Sequence, residues 1–485
     1  MKVRKLISQA SALTASALLA TSVSAANIVL NNVDPPGFGL NDPTPASPVG
    51  GNPGATVGEQ RLNAFQFAAD KWGATLQSDV TIVVQASFSP LGCSATGGTL
   101  GAAGPIQIFS VPAGIFPNVV ADTWYHVALI NSLIGFDATP GNPDPGLLQP
   151  PFNDDIVAFF NANLGTPGCL ENAGWYYGFD GNEAPNEIDF LAVVTHEIAH
   201  GLGFSEFVDE ATGALLAGQQ DIYSTFMFDT SQGKFFSEMT DAERQQAQVS
   251  GGDLVWTGDS VTAAAPATLG PRPAIRVLRP KSLRGFLDAQ QASFGPPLEL
   301  NGGMTGQLVL VDDGSDETGI PGLVGTPTDA CTPISNRRLR GKIALIDRGG
   351  CAFVTKVLNA QEAGAKGAIV ANNQPGGPAP MGGSSPFVTI PSVGITLAQG
   401  DAFKAAGKSN VKLILNPDKL AGANDDGQVL LYAPDPVQPG SSKSHFDTSA
   451  SPNLLMEPSI TSTLDSANDL DLTPALFEDI GWVLQ

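Results

Sequence analysis

The chain has 485 residues, which at about 150 residues per domain predicts two or three domains. Apolar residues make up 42 % and charged ones 15 %, enough to bury real cores, so wholesale disorder is excluded. With 47 acidic and 24 basic residues the net charge is −23, which repels phosphate backbones and anionic lipid and argues against nucleic acid as a partner.

Lys2, Arg4 and Lys5 precede an apolar or small run from Leu6 to Val23, and Val23-Ser24-Ala25 offers the small residues of a signal-peptidase site. Ser8, Gln9, Ser11, Thr14 and Ser16 interrupt the run, which argues against a membrane anchor. Residues 1–25 are read as the cleaved signal peptide of a secreted, extracellular protein. Four cysteines fit that address. Sequence allows three pairings. Cys93–Cys169 and Cys331–Cys351 are preferred because each bond then stays within one proposed domain. A cysteine zinc site is disfavoured, since no close C-x-x-C pair exists.

Residues 27–60 are rich in Asn, Pro and Gly and read as extended chain. Helical spacing of Leu62, Phe65, Ala69 and Trp72 predicts a helix over Arg61–Trp72. Val80–Phe88 reads as a strand, the Gly-rich run Gly97–Gly104 as a plain loop without a P-loop lysine, and Trp124–Ile134 as a helix. A strand over Asp155–Phe160 and a helix from Ile188 to Leu202 follow. After Gly270, strand-like runs at Leu308–Val311, Ile343–Ile346 and Ala368–Ala371 surround a helical stretch, Phe353–Ala363, as a small α/β module would. Val429–Tyr432 reads as one more strand. Thr473–Ile480, with Pro474 at its first turn and Gly481 after it, reads as a final helix.

The informative stretch is His196-Glu197-Ile198-Ala199-His200. Residues four apart on a helix lie about 40° apart, so both imidazoles can reach one metal. Leu191, Val194, Ile198 and Leu202 fall on the opposite side and predict a buried face, leaving the histidines to a cleft. Glu197 lies near enough to take a proton from a metal-bound water. This is H-E-x-x-H, the zinc hydrolase signature; the bland alternative is a surface helix with two solvated histidines. A catalytic zinc takes three protein ligands. Candidates for the third are Glu206, Glu238, Glu243 and His445, while His126, in an apolar segment, reads as a packed structural histidine.

His196-Glu197-x-x-His200-x-x-Gly203-Phe204 resembles the start of the metzincin consensus. There the third ligand usually follows three residues after the glycine; Glu206 stands at that place and departs from the pattern. In the leishmanolysin branch a large insertion precedes a distant third histidine, and Ser444-His445-Phe446-Asp447 followed by Asn453-Leu454-Leu455-Met456-Glu457-Pro458 is similar to that ligand and its Met-turn. The resemblance implies His445 as third ligand, Glu206 as its alternative, and Met456 as an apolar floor. The segment Gly341–Phe353, with Lys356-Val357 and Asn359-Ala360-Gln361, resembles a protease-associated domain over roughly 270–420. Such domains border active sites and carry no catalytic group.

The expected fold class is α/β (α+β): a metzincin-like zinc peptidase domain, in parts 26–269 and 421–485, split by a protease-associated domain at 270–420. The expected function is a secreted zinc endopeptidase acting on protein or peptide substrates. Three neutral imidazoles leave one Zn2+ its full charge, which acidifies its water to a pKa of about 7, and Glu197 serves as general base. The alternative is a binding protein with a structural or inactive zinc site; a third reading is a zinc hydrolase of a non-peptide bond. The acidic runs Asp312–Glu317 and Asn424–Gly427 read as polar turns, with Ca2+ binding the weaker alternative.

Overall fold

A computed structural model describes residues 24–95, 97–138, 154–318, 324–335, 337–379, 381–461, 464–465 and 467–485. The signal-peptide expectation, apart from Ser24 and Ala25, lies outside the described residues.

The first elements are β1 (Ile28–Asn32), α1 (Val57–Thr75), β2 (Ile82–Ser89), β3 (Gly101–Pro105), β4 (Ile108–Ser110), β5 (Trp124–His126), α2 (Val127–Ile134), β6 (Ile156–Asn161), β7 (Gly174–Tyr176), β8 (Glu187–Asp189) and α3 (Phe190–Leu202). Helix α1 starts earlier than Arg61 because Thr56 and Glu59 form a capping box, each side chain accepting the other's backbone N–H. Strands β1, β2 and β6 are parallel neighbours, and β3 closes the sheet as an antiparallel edge on β6. Buried and half-buried residues alternate along β2, as a strand covered on one face demands.

Two expectations change here. Trp124–Ile134 divides into β5, paired with β4, and the shorter α2. Within the Gly-rich run, Gly101–Pro105 is the edge strand β3 and not a loop, because small residues let this backbone lie close over α3. Val429–Tyr432 likewise makes only isolated bridges, from Val429 to Ala423, Leu430 to Val255 and Leu431 to Phe446.

One apolar core gathers residues from both ends of the chain. Phe65, Trp72, Phe160 and Phe190 pack with Leu472 and with Leu476, Phe477 and Ile480 of the Thr473–Ile480 helix. The Trp72 and Phe477 rings lie 5.1 Å apart. Between these segments, residues 271–420 build an eight-stranded mixed sheet. Its centre is parallel, running Met304–Leu310, Ile343–Asp347, Gly367–Ala371 and Ser392–Ile395. Ser409–Leu420 and Pro271–Arg279 extend it antiparallel. The helix Phe353–Glu362 and its neighbours cover this sheet, which has apolar clusters of its own on its two faces. The whole is a mixed α/β structure.

Candidate metal centre

Helix α3 positions the first histidines. Asp189 caps it, its carboxylate accepting the Leu191 N–H at 2.8 Å. Gly203, at φ +138°, ends it, and a Cβ there would meet Ile480 at 2.7 Å. Unlike the one-sided burial its spacing predicts, α3 is buried at every position. The sheet covers one side, α1 another, and the C-terminal segment a third: Trp72 Nε1 donates to Thr195 O and Trp482 Nε1 to Leu202 O, both at 2.9 Å. The histidines face a cleft of about 900 Å3.

His445 arrives on an irregular segment 245 positions beyond His200. Its carbonyl accepts the Tyr432 N–H at 2.9 Å, and Phe446 N donates to Met456 O at 2.8 Å. The Nε2 atoms of His196, His200 and His445 then lie 3.0, 3.2 and 3.3 Å from one another. The opposite nitrogen of each ring donates to a backbone carbonyl: His196 Nδ1 to Leu455 O at 2.7 Å, His200 Nδ1 to Phe204 O at 2.7 Å, and His445 Nδ1 to Ser441 O at 2.8 Å. A carbonyl can only accept, so each ring carries its proton on Nδ1. Burial lowers all three pKa values, to about 4 for His196, about 3 for His445 and well below the usual range for His200, so the rings are neutral.

Three neutral rings thus aim three Nε2 lone pairs at one point with no proton between them. That arrangement is repulsive unless a cation occupies the point. Zinc–nitrogen distances of about 2.0–2.1 Å in a tetrahedron separate the nitrogens by roughly 3.3–3.4 Å. The donor set and its spacing therefore fit zinc, and among the described residues no other cluster of three such groups could hold a metal.

Glu197 is buried in the same cleft and its Oε2 has no hydrogen-bond partner. Burial raises its pKa to about 8. Strand β3 crosses beside it so closely that a Cβ on Gly101 would meet Glu197 Oε1 at 2.5 Å. Met456 is fully buried next to Leu455.

The other candidates lie elsewhere. Glu206 pairs with Lys443, its Oε1 3.3 Å from the ammonium, instead of joining the imidazoles. Glu243 accepts from Thr240 N and pairs with Lys234 at 2.5 Å, and Glu238 accepts the Phe235 N–H. His126 is buried against Phe207, with Nε2 2.7 Å from Ser205 Oγ, and burial lowers its pKa to about 3. The acidic runs are turns: Asp313 accepts from Ser315 N and Thr332 N, Asn424 from Asp426 N and Gln428 N, and Asp425 pairs with Lys419 and Arg272. Both disulfides form as paired in the sequence reading. Gly101 and the three carbonyl acceptors escaped sequence reasoning. A backbone carbonyl has no residue signature, and a glycine shows its neighbour only once folded.

Residues 304–403 carry a PA domain. They lie within the eight-stranded sheet and contain none of the three histidines. A stretch of 107 residues is 41 % identical to Receptor homology region, transmembrane domain- and RING domain-containing protein 1 of Oryza sativa subsp. japonica, covering 21 % of this chain and 20 % of that protein. A stretch of 61 residues is 48 % identical to the PRADC1-like protein of Drosophila melanogaster, covering 12 % and 31 %. Over 154 residues the chain is 30 % identical to Vacuolar-sorting receptor 7 of Arabidopsis thaliana, covering 30 % and 23 %. The chain therefore spans between a fifth and a third of the length of these relatives. A solved zinc aminopeptidase of Bacillus subtilis, BSAP, is similar over 33 % of this chain and 37 % of its own, at 23 % identity and a TM-score of 0.22. No helix among the described residues is long and apolar enough to cross a membrane. The two disulfides fit an oxidising compartment.

Proposed function

We propose that this chain is a secreted zinc-dependent endopeptidase. Its metzincin-like catalytic body is formed by residues 26–269 and 421–485, with the PA-containing module inserted between. His196, His200 and His445 hold the metal, with Met456 in the turn beside it, and Glu197 is the general base. The convergence of three unprotonated Nε2 atoms carries this reading.

A zinc ion held there supplies Lewis acidity to a peptide carbonyl and acidifies water. The chain's own groups do the rest. The three Nδ1 donations keep each ring in the tautomer that leaves Nε2 free. Glu197, with an unengaged Oε2 facing the cleft, takes the proton of the attacking water and delivers it to the leaving amine. Burial raises the Glu197 pKa to about 8, near neutrality, which suits a group that takes a proton and returns it. Strand β3, an edge lining the cleft, confines the carboxylate from one side.

A purely structural zinc favours a closed site of four protein ligands. Three groups converge here among the described residues, in an open cleft that also holds Glu197, which favours the catalytic reading over a binding protein. The test is cleavage of a denatured protein by the purified chain, with and without a zinc chelator, beside Glu197→Ala. Chelator-sensitive cleavage that vanishes in a zinc-retaining Glu197→Ala supports it; undiminished cleavage by that variant rejects it.

A further inference from the structure

The residue at the short-spaced ligand position is not idle. Glu206 follows α3 by four positions, and its carboxylate meets the ammonium of Lys443 at 3.3 Å. Both side chains are almost wholly buried, at 4 % and 0 % exposure. Lys443 Nζ also donates to Gln248 Oε1 at 2.9 Å, and Glu206 Oε2 accepts the Val208 N–H. Buried ions of opposite sign need each other, because neither finds water.

The geography of the pair is the point. Lys443 stands two residues before His445, and Glu206 six after His200. The segment from Lys443 to His445 belongs to no helix or named strand; Lys443 N donates to Tyr432 O at 2.8 Å and His445 O accepts from Tyr432 N at 2.9 Å, and these bonds hold its backbone on one side only. It is fastened to the post-α3 segment by several contacts: the ion pair, Ser444 Oγ accepting the Glu206 N–H at 3.4 Å, and Tyr223 Oη donating to Lys443 O at 3.1 Å. Lys443 adopts φ +71°, so its backbone is held in a conformation that L residues rarely choose.

We propose that the Glu206–Lys443 ion pair is a clasp that sets the register of His445 against His196 and His200. Both are positioning residues, and neither is a ligand. This rests on the metal reading above. A salt bridge across the inserted module thereby completes a site whose third ligand lies beyond that module.

The test is zinc affinity of the full chain by chelator competition, measured beside thermal unfolding of the metal-free protein. The samples are wild type, Glu206→Gln, Lys443→Met, His445→Ala and Asp34→Ala. The last is a destabilised control, since buried Asp34 accepts the Leu40 N–H and the N–H of Phe88 in β2. Glu206→Gln and Lys443→Met are expected to bind zinc about 10- to 100-fold more weakly. Asp34→Ala is expected to unfold earlier with its affinity within about two-fold of wild type. Unchanged affinity in Glu206→Gln, or an equal loss in Asp34→Ala at matched destabilisation, overturns the clasp alone. A wild type without zinc, or a His445→Ala variant that keeps wild-type affinity, overturns the metal reading and the clasp with it.

Discussion

His196 donates its Nδ1 proton to the carbonyl oxygen of Leu455, 2.7 Å away and 259 positions along the chain. The next residue, Met456, gives its carbonyl to Phe446 N, beside His445. One dipeptide unit therefore touches the surroundings of two of the three imidazoles. Asp471 braces it in turn, accepting the Leu455 N–H at 2.5 Å.

Met456 fills this turn with no exposed surface. Met456→Ala is expected to cost about 2–5 kcal/mol of stability and to speed zinc loss, whereas Met456→Leu keeps the volume and costs less than about 1.5 kcal/mol. Denaturant unfolding with a zinc-release assay checks both. Equal stability of the Ala variant rejects the packing role.

Gly101 leaves no room for a methyl group beside Glu197. Gly101→Ala is expected to displace the carboxylate and lower kcat by about 100-fold while zinc stays bound. A variant that retains full turnover would show that the carboxylate is not held in place by β3.

The two disulfides close loops of different length, with separations of 76 and 20 residues. On chain entropy alone, losing Cys93–Cys169 costs about 4–5 kcal/mol and losing Cys331–Cys351 about 3 kcal/mol. Paired Cys→Ser variants, compared by denaturant unfolding, are expected to follow that order. The first bond also ties the cleft rim, since Gly98 and Leu170 both line it. Only its loss is expected to raise KM.

Lys356 is buried with its ammonium on Asp329 O at 2.6 Å, and burial lowers its pKa to about 8 from 10.5. Below pH 8 folded and unfolded chains both hold the proton and the burial cost is complete. Between about pH 8 and 10.5 the unfolded chain keeps a proton the folded one has released, so stability rises with pH. The rise is on the order of 2 kcal/mol, discounted for partial solvent screening. Lys356→Met is expected to abolish it. A wild-type unfolding midpoint that stays flat over that window contradicts the burial effect.

Elements fixed by neighbouring residues were legible before folding. His196 and His200 share one face of their helix because four residues make slightly more than one turn, and Glu197 lies one residue beyond the first of them. Thr473–Ile480 is bounded as written, by Pro474 in its first turn and Gly481 after it. The strand–helix order of the PA-containing module was equally legible, since its parallel strands are continuous apolar runs. Tertiary packing decided the rest. Glu206 and His445 were both open as third ligand, and only folding places Lys443 on the carboxylate and the imidazole at the helical pair. The all-round burial of α3, the close passage of β3 and the carbonyls that orient each ring come from segments up to 259 positions apart. Such contacts depend on how separate segments share one core, and no window of neighbouring residues contains that information.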